Sequence, residues 1–242
     1  MRQILIKEIN SFLNSLIAYI IISVFLTATG LLLWVFPETS ILDYGFADMS
    51  SFFSLTPYIF MFLIPAITMR MFSEERRNGT MELLLTRPLR DIDLILGKYL
   101  AGVVLVLFSI LPTFLYYFTI SRLGNPPGNI DTAGVMGSYF GLFLLGSAFT
   151  AVGIFSSSFT ENQVTAFIIA VFLCFLLYFG FNAISTIAGL SAFALTIDGL
   201  GMIYHYNAMS KGLIDIRDLV YFFSVIAVML LLTNLVLKSR TW

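Results

Sequence analysis

The sequence predicts an all-α polytopic membrane protein: six transmembrane helices with cytoplasmic N- and C-termini, an N-terminal interfacial helix and a structured cytoplasmic helix between the second and third spans. Three observations predict it. Of 242 residues, 59% are hydrophobic and only 11% charged, with a mean hydropathy of +0.94, whereas a soluble domain carries about 25% charged residues. So few charges cannot coat a water-facing surface. The charges also cut the chain into six neutral stretches, each long enough for the roughly 20 apolar residues that a spanning helix needs. Finally, 10 of the 13 basic residues lie at the N-terminus, the second loop and the C-terminus, and basic segments resist translocation.

The elements follow in order. Residues 1–15 form an interfacial helix, with Leu5, Ile9, Phe12, Leu13 and Leu16 on one face and Gln3, Lys7, Asn10 and Asn14 on the other. An early extension of the first span is the alternative, because Ile4 and Ile6 blur the pattern. The spans are placed at 16–36, 53–72, 99–120, 134–156, 164–187 and 219–237. The first loop has no basic residue and carries Glu38, Asp43 and Asp48, which puts it outside. The fifth neutral stretch is long for one span and short for two, so a re-entrant or interfacial piece is expected around Gly189 to Thr196. The whole chain, 1–242, reads as a single transmembrane domain. Its segments are 1–15, spans one and two over 16–72, the cytoplasmic loop 73–98, spans three to five over 99–187, an extracytoplasmic or re-entrant segment 188–218, and the last span with its tail, 219–242.

Several chemistries are missing. A net charge of −1 gives no basic field for nucleic acid. The one cysteine, Cys174, excludes an internal disulfide framework, and the one histidine, His205, excludes paired-histidine metal sites such as H-E-x-x-H. His205, between Tyr204 and Tyr206, reads as a hydrogen-bonded loop residue with no catalytic role. Gly97-Lys98 lacks the remaining residues of a P-loop, so the chain cannot hydrolyse ATP alone. No charge lies deep in a span, and Arg70 and Lys98 are expected to snorkel from the cytoplasmic ends. Ion-gradient coupling is disfavoured, and the energy for any transport is expected from another chain.

The most informative segment runs from Phe72 to Leu100 and holds five basic and five acidic residues. Gly79 supplies a turn, Thr80 caps a short helix with Glu82 in its first turn, Leu83 to Leu85 give that helix apolar surface, and Pro88 ends it. Asp91 then caps a helix that continues through Lys98 into the third span, a rod of roughly 40 Å. A solvated loop that only sets topology is one reading. A docking element that passes a push from a partner into the membrane is the other.

The run E-E-R-R-N-G-T-M-E-L-L-L-T-R-P followed by D-x-x-L-x-L-G-K, Glu74 to Lys98, resembles the signature of ABC-2-type transporter permeases. His205 to Phe222 resembles the segment that leads into the last span of the same permeases. Within the family the chain looks most like the permease subunit of gliding-motility-associated ABC transporters, although copper-processing, sodium-export and multidrug permeases share these patterns. The resemblance implies a half-transporter that pairs as a homodimer or heterodimer of permeases in the bacterial inner membrane. It implies no cofactor in this chain, with ATP-Mg bound by a separate ATP-binding cassette subunit, and a membrane-anchored accessory subunit as a further partner. It places Glu74, Glu75, Gly79, Thr80, Glu82 and Leu84 at the coupling helix, Pro88 at its end, and Asp91 and Lys98 at the re-entry into the membrane.

Weaker signals concern packing. Gly134, Gly137, Gly141, Gly146 and Gly153 thin the fourth span, for packing within the subunit or for a dimer seam. Pro57, Pro65 and Pro112 free backbone carbonyls, and Asn182 reads as interhelical glue. Besides a transporter subunit, a membrane-embedded enzyme built on Asp198 to Asp218 and a non-transporting anchor of a motility or secretion apparatus are open readings.

Overall fold

The computed structural model describes residues 2–37, 39–41, 47–81, 90–187, 193–212 and 214–239. Among them there is no strand. The helices are α1 (Arg2–Leu13), α2 (Leu16–Trp34), α3 (Ser50–Thr68), α4 (Arg70–Arg77), α5 (Asp91–Ile110), α6 (Phe114–Leu123), α7 (Thr132–Phe159), α8 (Gln163–Phe175), α9 (Phe181–Ser185), α10 (Ala194–Asp198), α11 (Met202–Met209) and α12 (Ile216–Lys238). Six helical stretches are long and apolar enough to cross a membrane: Leu16–Trp34, Ser50–Arg77, Asp91–Leu123, Thr132–Phe159, Gln163–Ser185 and Ile216–Lys238. The spans expected from the sequence fall on these six, with boundaries shifted by a few residues.

The expected interfacial helix is a separate element. Ser15 adopts extended backbone between α1 and α2, because a short polar residue there competes for local backbone hydrogen bonds and favours a helix boundary. The buried side of α1 carries Ile4 and Phe12, while Gln3, Lys7, Asn10 and Asn14 are exposed.

At the centre of the bundle lies α7, whose spanning stretch is 83% buried, against 22%, 22% and 17% for those of α2, α8 with α9, and α12. Its glycines explain how it is surrounded. A Cβ on Gly146 would lie 2.7 Å from Val106 of α5, and one on Gly153 would lie 1.9 Å from the Thr68 hydroxyl of α3. Gly137 meets the Gly212 backbone in the same way, at 2.9 Å. The small residues therefore serve close packing within this chain.

The prolines have two different effects. Pro57 lies inside α3 and lacks the N–H that would bond the Phe53 carbonyl. The buried Tyr206 hydroxyl of α11 donates to that carbonyl instead, at 2.7 Å. Pro112 sits in a 3₁₀ turn, Leu111–Thr113, which divides the third stretch into α5 and α6.

Beyond the fifth span lie the short helices α10 and α11; of the re-entrant or interfacial piece expected around Gly189 to Thr196, residues up to 192 lie outside the described residues. His205 is therefore on a helix and buried, a correction to its reading as a loop residue. Asn182 binds Asp198 of α10 at 2.8 Å. At the far end, Ile4, Met71, Phe72, Leu94, Ile95, Ile154 and Leu237 form one apolar cluster. The N-terminal helix, both sides of the long loop and the end of the last span thus meet at one end of the bundle, as six crossings require.

Candidate functional site

Three elements bring four charges together at this end. Lys98 lies in the second turn of α5 with none of its surface exposed. Three oxygens lie within 2.9 Å of its Nζ: Glu8 Oε1 of α1 at 2.9 Å, Glu75 Oε2 of α4 at 2.9 Å, and the Met71 carbonyl at 2.6 Å. The ammonium also stands 5.1 Å from the centroid of the Phe72 ring, a favourable place for a desolvated cation. Lys7 closes the cluster from the rim, 2.9 Å from Glu75 Oε1 and 3.5 Å from Glu8 Oε1. Two cations and two carboxylates balance, which is what makes burial of Lys98 tolerable. Burial lowers the Lys7 ammonium, but its hydrogen bond to Glu75 and the nearby charges of Glu75 and Glu8 carry it above its ordinary 10.5.

This corrects the expectation that Lys98 snorkels. Its amine turns inward because α1 and α4 supply carboxylates where a snorkelling lysine would have found water. Arg70, the other residue expected to snorkel, is held by Glu74 at 3.2 Å and by the Ser15 hydroxyl at 3.3 Å.

The junction between α3 and α4 is clasped by α7. Ser157 of α7 accepts from the Phe72 and Ser73 amides at 2.9 and 3.1 Å while donating to the Met69 carbonyl at 3.0 Å. The Ser73 hydroxyl donates to that carbonyl as well. α4 then presents Glu75 to the cluster and places Arg76 and Arg77 in its last turn, where cations suit the helix dipole.

Of the residues expected at the site, Glu75 and Lys98 are in the cluster, and Glu74 faces Arg70 on its edge. Gly79 has φ +66, the left-handed conformation that ends α4. The short helix that Thr80 is expected to cap runs on into 82–89, outside the described residues, and the Thr80 hydroxyl donates back to the Glu75 carbonyl at 3.2 Å. The Gly79 turn brings it there, and that carbonyl is one that the end of α4 leaves open. Asp91 is the first residue of α5, with Arg90 at the cap position and no side-chain cap bond. Asp91 and Asp93 act instead as first-turn acids. Glu82, Leu84 and Pro88 lie outside the described residues.

Glu8 is the residue that sequence reasoning missed, and Lys7 was placed only on the polar face of α1. The signal for Glu8 was present. It is an acid four residues from both Ile4 and Phe12, on the inward stripe of the helix.

Six spanning stretches, the glycine-thinned one at their centre, with a buried charge cluster joining the N-terminal helix to α4 and α5, define a multi-pass membrane protein. Residues 3–241 match the family described as ABC-2 family transporter protein, and the chain belongs to that family. It is therefore a permease component of a transporter, and the family implies an ATP-binding cassette partner. No curated protein sequence matches it.

Proposed function

We propose that this chain is the membrane-spanning subunit of an inner-membrane transporter and that its loop end is where a separate ATP-binding cassette subunit drives it. The observation that carries this reading is the Lys98 cluster. It fastens the helix entering the loop and the helix leaving it to each other and to α1. Displacement of the loop by a partner is then passed to α3, α5 and α2 together. Glu75 and Lys98 hold the helices in register, Gly79 sets the turn toward the partner, and Glu74, Thr80, Glu82, Leu84, Pro88 and Asp91 belong to the contact region or its edges.

ATP-Mg binds the partner, and this chain supplies no catalytic group. A second permease copy completes the pathway. The resemblance of 74–98 supports gliding motility as the process served, with a membrane-anchored accessory subunit in the assembly. The test is co-purification of the tagged chain with its ATPase from native membranes, followed by ATP hydrolysis measurements in nanodiscs. Glu75→Lys should keep membrane insertion and change the hydrolysis rate of the complex at least several-fold. A stable complex with unchanged hydrolysis and unchanged nucleotide-driven motion would remove the cluster from the coupling route.

A further inference from the structure

A cavity of about 430 Å³ opens at the end of the bundle opposite the Lys98 cluster, walled by the entry to α3, the first turns of α7 and the last turn of α11. Two carboxylates line it, Asp48 and Asp131, and among the described residues no Lys or Arg does. Met49, Phe53 and Val135, all buried, give it an apolar wall.

The hydrogen bonds already made here fix what a guest has to bring. Every hydroxyl on the wall directs its hydrogen to an acceptor of this chain. Ser138 donates to the Gly134 carbonyl at 2.7 Å and Tyr206 to the Phe53 carbonyl at 2.7 Å. Ser54 donates to the Ser51 carbonyl and Ser210 to the Asn207 carbonyl, each at 3.0 Å, and Ser50 donates to Asp48. The carboxylates keep acceptor capacity. Asp131 takes the Gly134 amide on Oδ1 alone, at 3.0 Å, and an ionised carboxylate offers about four lone-pair sites. A net negative wall of acceptors repels anions and favours a guest that carries both hydrogens and positive charge.

Size decides between a metal ion and an organic cation. A calcium ion needs six or more oxygens converging within about 2.6 Å, and no group of three or more His, Cys, Asp or Glu side chains that could hold a metal exists among the described residues. The volume instead falls in the range of pockets for small organic ligands, about 300–1,000 Å³.

We propose that this cavity binds an organic amine, with the ammonium drawn to the Asp48 and Asp131 carboxylates and the apolar body against Phe53 and Val135. The site stands apart from the transporter reading, since binding needs neither an ATPase nor a second copy of the chain.

The probe for the test is dansylcadaverine, a primary amine on an aromatic body, titrated against the full chain in phosphatidylcholine nanodiscs with the signal of empty nanodiscs subtracted. Its N-acetyl derivative keeps the body and loses the charge. The expected result is saturable binding of the amine and binding of the acetylated form that is about tenfold weaker or more. Asparagine caps a helix about as well as aspartate, so the paired variant Asp48→Asn with Asp131→Asn should melt like the parent and lose about tenfold or more in amine affinity. Asn207→Lys, at an exposed position, sets a cation in the cavity and should abolish binding. Absence of saturable binding, equal binding of the amine and its acetylated form, or unchanged affinity in these variants would overturn the site. Tight calcium binding that excludes the amine would overturn it in favour of an inorganic ion.

Discussion

Lys98 shows how one side chain is made tolerable by its surroundings. With no exposed surface and three oxygens within 2.9 Å, it is paired with Glu8 and Glu75. Lys98→Met should leave those two carboxylates facing each other without compensation, a loss of about 3–5 kcal/mol for a broken buried pair. Lys7→Met, at a side chain 56% exposed, should cost under about 1 kcal/mol. Thermal unfolding of both variants in one detergent checks the contrast, and equal effects would mean that the cluster is not buried in the membrane-embedded protein. Lys7 is raised above 10.5, so its pairing contributes fully below that pH and is lost only as pH climbs beyond it. Half of this cluster was legible beforehand. Glu75 and Lys98 stood in a recognisable motif, whereas Glu8 belongs to a helix 67 residues from Glu75, and a single sequence does not say which distant carboxylate meets a given lysine.

The separate helices reflect local rules more directly. Gly79 has open space around a built Cβ but φ +66, so Gly79→Ala should cost about 1–2 kcal/mol through backbone conformation alone. Gly153 is the opposite case. A Cβ there would lie 1.9 Å from the Thr68 hydroxyl, and Gly153→Val should push α7 from α3 at a cost of about 1–3 kcal/mol. A melting temperature unchanged by Gly153→Val would show that the α3–α7 seam is looser than these distances. Tyr206→Phe should strand the carbonyl freed by Pro57, a loss of about 1–3 kcal/mol, measurable as faster amide exchange over 202–209. The positions of the six spans were readable because length and neutrality suffice to define them. The fate of each freed carbonyl was not, since its partner lies on another helix.

Across the whole molecule, α1 ties the loop end of the bundle together. It carries Glu8 to Lys98 and Ile4 to the apolar cluster of Met71, Phe72 and Ile95. Deleting residues 2–13 should therefore lower the melting temperature by more than Glu8→Gln does, and equal losses would mean that the apolar contacts of α1 contribute nothing. The spanning stretches led by α2, α8 and α12 are 22%, 22% and 17% buried. Large apolar faces are thus left for lipid or, in the proposed dimer, for a second permease.

The sequence alone determined the class of protein, the number of spans, the amphipathic N-terminus and the place of the punctuated loop. Each of these follows from composition, spacing and the hydrocarbon thickness of a bilayer, all of which act locally along the chain. Only the tertiary structure decided that Lys98 turns inward to Glu8 and Glu75, that α7 is the buried centre, that Ser157 clasps the α3–α4 junction at Met69, and that His205 meets Asp218. Those are pairings between helices. In a chain whose spans are all apolar, the choice of neighbour rests on shape and on a few polar contacts, so it is settled by packing and not by pattern.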